Sequence, residues 1–417
     1  MKKIRKVFAP IIASMIFSVP SISSAEWTIT GLGASLSGPG IHLTGFNNSG
    51  QIVGWEGSDY TYTRAFITGP NGSGKTSIDM PGGAFGKATG INDSGQVTGT
   101  FSFTAPNPMY PDHSPVSKGS FTHSFITDAN GEAAKDLGVM KWYEGDWGEY
   151  YEYNAAAKIN ESGQIAGSEL RNLNGRWGVA YTTGPNGSDM RELTTPFSTR
   201  ATAINDSGQV AGYSIEGEGE YLPWQYGHAF ITGPDGNGIT YLDDFGGHYS
   251  AAYGINNAGK VVGRSETPSP PVSPGSPYYE SVYHAFVTGD NGVGITDLGT
   301  FGGKYTSAYD INEHDQIIGT STTSDGSYHA FLYTNGHMID LSILPEIINA
   351  GWSNIGVSAI NDHGQILGSG TLQGNTQAFI LSPSPVPEPS TYAMLLAGLG
   401  LVGFSLKHQT KSSRVNA

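Results

Sequence analysis

A nine-residue phrase occurs seven times in this chain of 417 residues, and it constrains the architecture more than any other feature. The copies are Phe46-Asn-Asn-Ser-Gly-Gln-Ile-Val-Gly54, Ile91-Asn-Asp-Ser-Gly-Gln-Val-Thr-Gly99, Ile159-Asn-Glu-Ser-Gly-Gln-Ile-Ala-Gly167, Ile204-Asn-Asp-Ser-Gly-Gln-Val-Ala-Gly212, Ile255-Asn-Asn-Ala-Gly-Lys-Val-Val-Gly263, Ile311-Asn-Glu-His-Asp-Gln-Ile-Ile-Gly319 and Ile360-Asn-Asp-His-Gly-Gln-Ile-Leu-Gly368. Their first Asn residues stand 45, 68, 45, 51, 56 and 49 positions apart. A period of that length belongs to arrays of supersecondary units, each unable to bury its apolar faces alone.

Residues 294–331 show one unit clearly. Short apolar runs at 294–299, 305–312, 316–320 and 328–333 alternate with Gly-, Asn- and Asp-rich turns. Four short strands per unit, with no helical period, predict the blade of a β-propeller. The Asn-Asp-Ser-Gly segment reads as a three-residue hairpin turn closed by a left-handed residue, a place where Gly carries no steric penalty. Gly50, Gly95, Gly163, Gly208, Gly259 and Gly364 fill that place, and Asp315 takes it in the sixth unit. Turn chemistry therefore explains these Asn, Asp and Ser residues without a metal, although repeated acidic loops also occur as calcium cages.

The third strand repeats too, as Arg64-Ala-Phe66, His123-Ser-Phe125, Val179-Ala-Tyr181, His228-Ala-Phe230, His284-Ala-Phe286, His329-Ala-Phe331 and Gln377-Ala-Phe379. Four histidines at one repeat position suggest catalysis, but Arg64, Val179 and Gln377 at the same position argue instead for a structural hydrogen bond to a neighbouring turn. These units resemble the bacterial extracellular HAF repeat, named for the tripeptide. The resemblance spans most of the chain between its two ends and implies a secreted repeat protein without an assigned activity.

The two ends of the repeat region complement each other. Residues 27–33 match the fourth strand of a unit, whereas the seventh unit stops after its third strand at 378–381. The expected fold is all-β, a seven-bladed β-propeller of four-stranded blades spanning residues 26–383, closed by an N-terminal strand that completes the last blade. Such closure removes open strand edges, which a linear solenoid has to cap.

Gly69-Pro-Asn-Gly-Ser-Gly-Lys-Thr76 satisfies the P-loop pattern at every position. The equivalent stretches 184–187, 233–240 and 289–296 lead into strands, so the segment reads as a hairpin turn and not as a nucleotide site.

Lys2, Lys3, Arg5 and Lys6 precede an apolar run to Val19 and then Ser23-Ser24-Ala25, the parts of a secretory signal peptide over residues 1–25. At the other end, residues 384–417 carry Pro387, Glu388 and Pro389, an apolar stretch from Tyr392 to Leu406 and a basic tail. This pattern resembles the PEP-CTERM sorting signal of Gram-negative bacteria. It implies transient anchoring in the inner membrane by a short transmembrane stretch, processing by an exosortase, and delivery to the cell surface or the exopolysaccharide matrix.

No cysteine is present, so disulfides and thiolate metal sites are excluded. Removing four basic residues at the start, and three basic residues with Glu388 at the end, lowers the net charge from −15 to −21. So acidic a body repels nucleic acid.

The unequal spacing of the repeats comes from insertions, approximately 101–120, 141–154, 214–226 and 265–282. Strand order places them on the side opposite the Asn turns. They carry Trp142, Tyr143, Trp147, Tyr150, Tyr151, Tyr221, Trp224 and Tyr226 among Glu144, Asp146, Glu149 and Glu218. Aromatic faces stack on sugar rings while carboxylates accept hydroxyl hydrogen bonds, so these residues are candidate contacts for an exopolysaccharide or a surface protein. The expected function is a non-enzymatic binding scaffold without a cofactor. The alternatives are a secreted polysaccharide hydrolase or lyase using loop carboxylates, and a calcium-loaded structural coat.

Overall fold

The structure, a computed structural model, describes residues 27–38, 40–58, 61–106, 118–138, 151–170, 178–195, 197–216, 226–269 and 280–384. The expected signal peptide and nearly all of the sorting segment lie outside these residues. The chain divides into two compact units, Ile29–Ser382 and a second made of Met1–Thr28 with Pro383–Ala417, of which only residues 27, 28, 383 and 384 are described. No helix among the described residues is long and apolar enough to cross a membrane.

The fold is all-β, with twenty-eight described strands and one five-residue helix, Pro345–Asn349. Ile41–Phe46, Ile52–Ser58, Thr61–Thr68 and Lys75–Ser77 show the plan, each pairing antiparallel with the next. Three sheets have four strands. Two have eight, each formed by two such meanders joined through a parallel contact, Tyr151–Tyr153 beside Ser120–Thr122 in one and Tyr283 beside Tyr305 in the other. In one four-stranded sheet the order is Trp27–Gly31, Asn375–Pro383, Ile366–Leu372, Trp352–Ile360, so its fourth strand comes from the far end of the sequence.

The two repeated motifs are the two sides of one contact. The Gly that ends each nine-residue phrase lies directly across from the aromatic of the third-strand tripeptide: Gly54 from Phe66, Gly99 from Phe125, Gly167 from Tyr181, Gly212 from Phe230, Gly263 from Phe286, Gly319 from Phe331 and Gly368 from Phe379. All seven rings are buried. On its other side each Gly meets a first strand carrying a register irregularity, as at Ala201/Ala203 and Ala308/Asp310. An irregularity of this kind bends the strand and brings its carbonyl close. A Cβ on Gly212 would stand 2.0 Å from the Arg200 carbonyl oxygen and 2.8 Å from the Phe230 ring. Only Gly fits there, and the neighbouring ring covers the gap it leaves.

The core lies between consecutive repeats. Val53, Ala65 and Ile67 of the first pack against Ala88, Val97 and Phe125 of the second. Leu36, Phe46, Ile52 and Phe66 pack in the same manner against Ala359, Leu367, Ala378 and Ile380 of the last.

The first insertion is more ordered than the sequence reading anticipates. Val97–Pro106 and Lys118–Ile126 extend as a paired ribbon from Phe101 opposite His123 out to Pro106 opposite Lys118. Phe103 stacks across the ribbon on Phe121 with ring centres 5.5 Å apart, and cross-strand aromatic pairs of this kind stabilise such extensions. The segment resembling a P-loop continues into the strand Lys75–Ser77, and the Lys75 ammonium is 2.6 Å from Glu56.

Gly212→Ala is expected to cost more than about 2 kcal/mol through overpacking. Gly356→Ala, where a Cβ meets nothing within 4 Å, should cost less than about 1 kcal/mol. Urea unfolding midpoints of the two variants test the contrast.

Candidate functional site

The first Asn of every phrase is at most 4% exposed, so its amide has to find its hydrogen bonds inside the protein. Each Oδ1 accepts the backbone N–H four residues on, from Gln51 at 2.8 Å in the first repeat to Gln365 at 3.0 Å in the last. Each Nδ2 also donates to the carbonyl of the equivalent Asn in the next repeat: Asn47 to Asn92 (3.0 Å), Asn92 to Asn160 (3.0 Å), Asn160 to Asn205 (2.9 Å), Asn205 to Asn256 (3.0 Å), Asn256 to Asn312 (3.4 Å) and Asn312 to Asn361 (2.9 Å). The Asn361 amide then donates to the Asn47 carbonyl at 3.2 Å.

A second cycle runs through the following residue. The backbone N–H groups of Asn48, Asp93, Glu161, Asp206, Asn257 and Glu313 donate to the side-chain oxygens of Asp93, Glu161, Asp206, Asn257, Glu313 and Asp362, at 2.7 to 3.0 Å. The Asp362 N–H donates to the Asn48 side chain at 2.8 Å. These side chains reach back to the preceding repeat's turn and do not cap their own. The sequence reading missed this because each one, taken singly, looks like ordinary turn composition.

The six phrases with Gly at the turn have it at positive φ, from 70° at Gly364 to 80° at Gly95, and Asp315 has φ 58°. The Asp315 exception is paired with another. The fifth phrase has Lys260 where the others have Gln, so Asn256 lacks the side-chain acceptor that its equivalents find. Asp315 of the next repeat replaces it, accepting from Asn256 Nδ2 at 3.1 Å and from the Lys260 ammonium at 2.6 Å. Both departures stand in the sequence, and their coupling appears only across the repeat boundary.

All seven repeats line one cavity of about 230 Å³ here. Asp93, Glu161, Asp206, Glu313 and Asp362 line its mouth, with Asp310 and Lys158 further in. Burial pushes the Glu161 and Glu313 carboxyls above the ordinary value. Neighbouring carboxylates add to this, while the N–H groups of Asp93 and Asn257 oppose it. Burial also raises Asp310, against the pull of Lys158 and of two backbone N–H groups. Among the described residues no group of three or more His, Cys, Asp or Glu side chains converges to hold a metal ion. The carboxylates at the mouth give it negative charge that draws cations.

Three of the four tripeptide histidines pair with an Asp of their own fourth strand, in place of the expected bond to a neighbouring turn. His123 Nδ1 is 2.9 Å from Asp136, His284 2.7 Å from Asp297 and His329 2.7 Å from Asp340. The same carboxylates accept the N–H groups of Gly138, Gly299 and Ser342. Burial alone would raise Asp136, but the hydrogen bonds from His123 and Gly138 outweigh it and hold the carboxyl below its ordinary value. His228 is more loosely placed, 3.7 Å from Asp244 and 3.9 Å from Glu216. In the repeats with Arg64, Val179 and Gln377 the position of that Asp is taken by Ser77, Glu192 and Gly31, and in the repeat with His228 by Tyr241. The three pairs are separate, each within its own repeat, and each is spent on holding its own strands together.

Of the sequence-predicted contact residues, Trp142, Tyr143, Trp147, Tyr150, Tyr221 and Trp224 lie outside the described residues. Tyr151 is described by its backbone alone, in the strand Tyr151–Ile159. Tyr226 is 45% exposed, bridges to Glu216 through its backbone, and sets its ring edge-on to His248 at 5.2 Å. The ends of the insertions lie at the strand ends away from the Asn turns. The Asn turns in turn bond to the turns between strands three and four, as in Gly187 N–H to the Gly163 carbonyl and Gly236 N–H to that of Gly208.

Residues 385–409 match the PEP-CTERM protein-sorting motif. That motif implies an exported surface protein and is consistent with processing by an exosortase. No curated protein matches the chain. Among solved structures, the chain is similar to the β-propeller domain of the Trilobed protease from Pyrococcus furiosus, at 9% identity and a TM-score of 0.48 over 82% of this chain and 93% of that one. It is similar to TolB from Acinetobacter baumannii at 12% identity and a TM-score of 0.35, over 80% of each chain. Porphyromonas gingivalis dipeptidyl peptidase 4 is similar at 10% identity and a TM-score of 0.41 over 81% of this chain and 51% of that one, so this chain spans about half its length.

Asn205→Ala is expected to cost about 2–4 kcal/mol, because it leaves buried backbone groups without partners. Asn205→Asp should not restore the loss, since a carboxylate cannot donate to Asn256. Thermal melts of both variants check this. For Glu161 and Glu313 the folded-state pKa lies above the unfolded one. Their contribution is therefore fully present below the ordinary value of 4.5 and is lost as pH rises through the folded value. Glu161→Gln/Glu313→Gln should melt about 1–2 °C higher than the parent at pH 7, and the gap should close towards pH 4.

Proposed function

We propose that residues 29–382 close as a seven-bladed β-propeller of HAF-type repeats that serves as an exported surface scaffold, holding exopolysaccharide or a surface protein on the insertion side. The observation that carries this reading is the pair of seven-membered hydrogen-bond cycles. They occupy the Asn-turn side completely and return from the seventh repeat to the first. The strand Trp27–Gly31, bonded beside Asn375–Pro383, supports closure by completing the last sheet. Variation in loop length is then confined to the opposite side, and rigid scaffolds concentrate binding in such loops. The signal peptide over 1–25 and the sorting segment with Pro387, Glu388 and Pro389 deliver the protein outward. Trp142, Tyr143, Trp147, Tyr150, Tyr151, Tyr221, Trp224 and Tyr226 supply the contact surface.

The combined change of Trp142, Trp147 and Trp224 to Ala should abolish co-sedimentation of the full-length protein with matrix polysaccharide while leaving its melting temperature within about 2 °C. Retention undiminished by these changes would refute the assignment of the contact surface. Chain shortening of the polysaccharide that disappears when Glu144, Asp146 or Glu149 is neutralised would replace the scaffold with a hydrolase or lyase.

A further inference from the structure

Arg264 is a cation held by aromatic rings instead of by carboxylates. Its guanidinium carbon lies 4.8 Å from the centre of the Tyr283 ring, 5.6 Å from that of Tyr249 and 5.9 Å from that of Tyr253. It forms no ion pair with a described residue, and its Nε is buried without a hydrogen-bond partner among them. Glu266, two residues on, turns its carboxylate to the His248 N–H at 3.0 Å. Burying part of a guanidinium without a counter-ion is costly, and an incoming anion would offset that cost.

These groups share a face. Ala251, Arg264 and Ala285 stand directly opposite one another across the first three strands of the fifth repeat, and Ala285 packs with Ala308 and Phe331 of the sixth. Tyr283, two residues before Ala285, is turned the same way and meets Tyr305 of the sixth repeat, with ring centres 6.5 Å apart at 25°. Tyr305 is 40% exposed, so the cluster opens to solvent between these two repeats. The fold does not ask for these side chains. Where Arg264 stands, other repeats have Thr100, Ser168, Thr320 and Ser369. Where Tyr253 stands, three others have a Thr that bonds the carbonyl of the next repeat, as Thr202 does to Ala252 at 3.0 Å. The fifth repeat puts a ring beside Arg264 in place of that bond.

We infer that this cluster binds an acidic sugar residue, with the Arg264 guanidinium on the sugar's carboxylate and the tyrosine rings against the pyranose. The planar fork of Arg matches a carboxylate. Burial pushes the Tyr249, Tyr253 and Tyr283 hydroxyls above the ordinary tyrosine value, against the pull of Arg264, so they remain protonated donors at neutral pH. Rings around the cation suit the apolar face of a pyranose better than the polar backbone of an acidic peptide. The inference rests on the scaffold reading for its ligand class, and its place agrees with that reading. Glu266 lies opposite Tyr283 and the Thr267 N–H bonds the Val282 carbonyl, so the fourth insertion leaves the sheet just beyond Arg264. None of the cluster residues is among the insertion aromatics assigned above.

The test is calorimetry and ligand-observed NMR on the full-length protein with glucuronate, galacturonate and their oligomers. Glucose, acetate, inorganic phosphate and a polyglutamate peptide are the comparisons. Saturable binding of at least one uronate or its oligomers is expected, and it should weaken as salt is raised. Arg264→Gln should weaken it about tenfold or more, the loss expected for a charge-assisted pair, and Arg264→Lys should recover little of it. Tyr305→Ala, at an exposed ring, should weaken it about threefold and leave the melting temperature within about 2 °C, which keeps the inference open to refutation should the Arg264 variants unfold. Absence of uronate binding, indifference to Arg264→Gln and Tyr305→Ala, or equal binding of glucose, acetate, phosphate or the peptide would overturn it. The triple Trp variant of the insertions should leave uronate binding unchanged. Polymer retention by the parent without uronate binding sinks this inference alone. Retention undiminished in the Trp variant, with uronate binding intact, sinks the insertion surface alone.

Discussion

A buried primary amide holds this molecule in register. Asn is the shortest side chain that offers two donors and an acceptor together, and each repeat uses all of them. Oδ1 folds the turn, one N–H meets the Gln side chain where Gln is present, and Nδ2 reaches the next repeat's backbone. Asp could fold the turn but could not donate, and Gln would carry the amide too far. The net value of each bond is about 1 kcal/mol, but an unpaired buried group costs about 1–3 kcal/mol. No turn can therefore be satisfied without its neighbour. In an array whose units contact only their neighbours, this coupling turns seven marginal hairpins into one cooperative structure.

The Gly–aromatic contact does within the repeat what the Asn does between repeats. The irregular first strand bends towards the sheet and excludes any Cβ at the phrase-ending Gly. The ring across the strand fills the space and shields the backbone. The His–Asp pair then ties the third strand to the short fourth one, which has only two residues at Lys135–Asp136 and at Thr296–Asp297. Strands this short gain little from ladder bonds, so a side-chain tether is most useful there.

Much of this was legible in the sequence because the decisive contacts repeat. Four strands per unit, the left-handed turn position, the false P-loop and the match of residues 27–33 to a fourth strand all follow from superposing the copies. What stayed hidden is what one repeat does to another. The acidic or amide residue after each Asn looks like turn composition until its oxygen is found on the preceding repeat's N–H. The exchange of Gln for Lys260 and of Gly for Asp315 reads as two unrelated departures until Asn256 is seen between them. The outer part of the ribbon, 101–106 and 118–120, falls in the stretch that reads as an insertion, because a Pro- and Ser-rich middle masks the alternation of Phe101, Phe103 and Phe121.

The same bonds explain why repeat length varies only where it does. An extra residue between the Asn and its Gln would break the four-residue closure, the link to the next repeat and the carboxylate bridge together. An extra pair of residues between the second and third strands lengthens a hairpin, and each added pair makes its own ladder bonds, as the ribbon from Phe101 to Pro106 demonstrates. Insertion is thus costly on one side and nearly free on the other. A chain built this way can change its loops without disturbing the bonds that link its Asn turns.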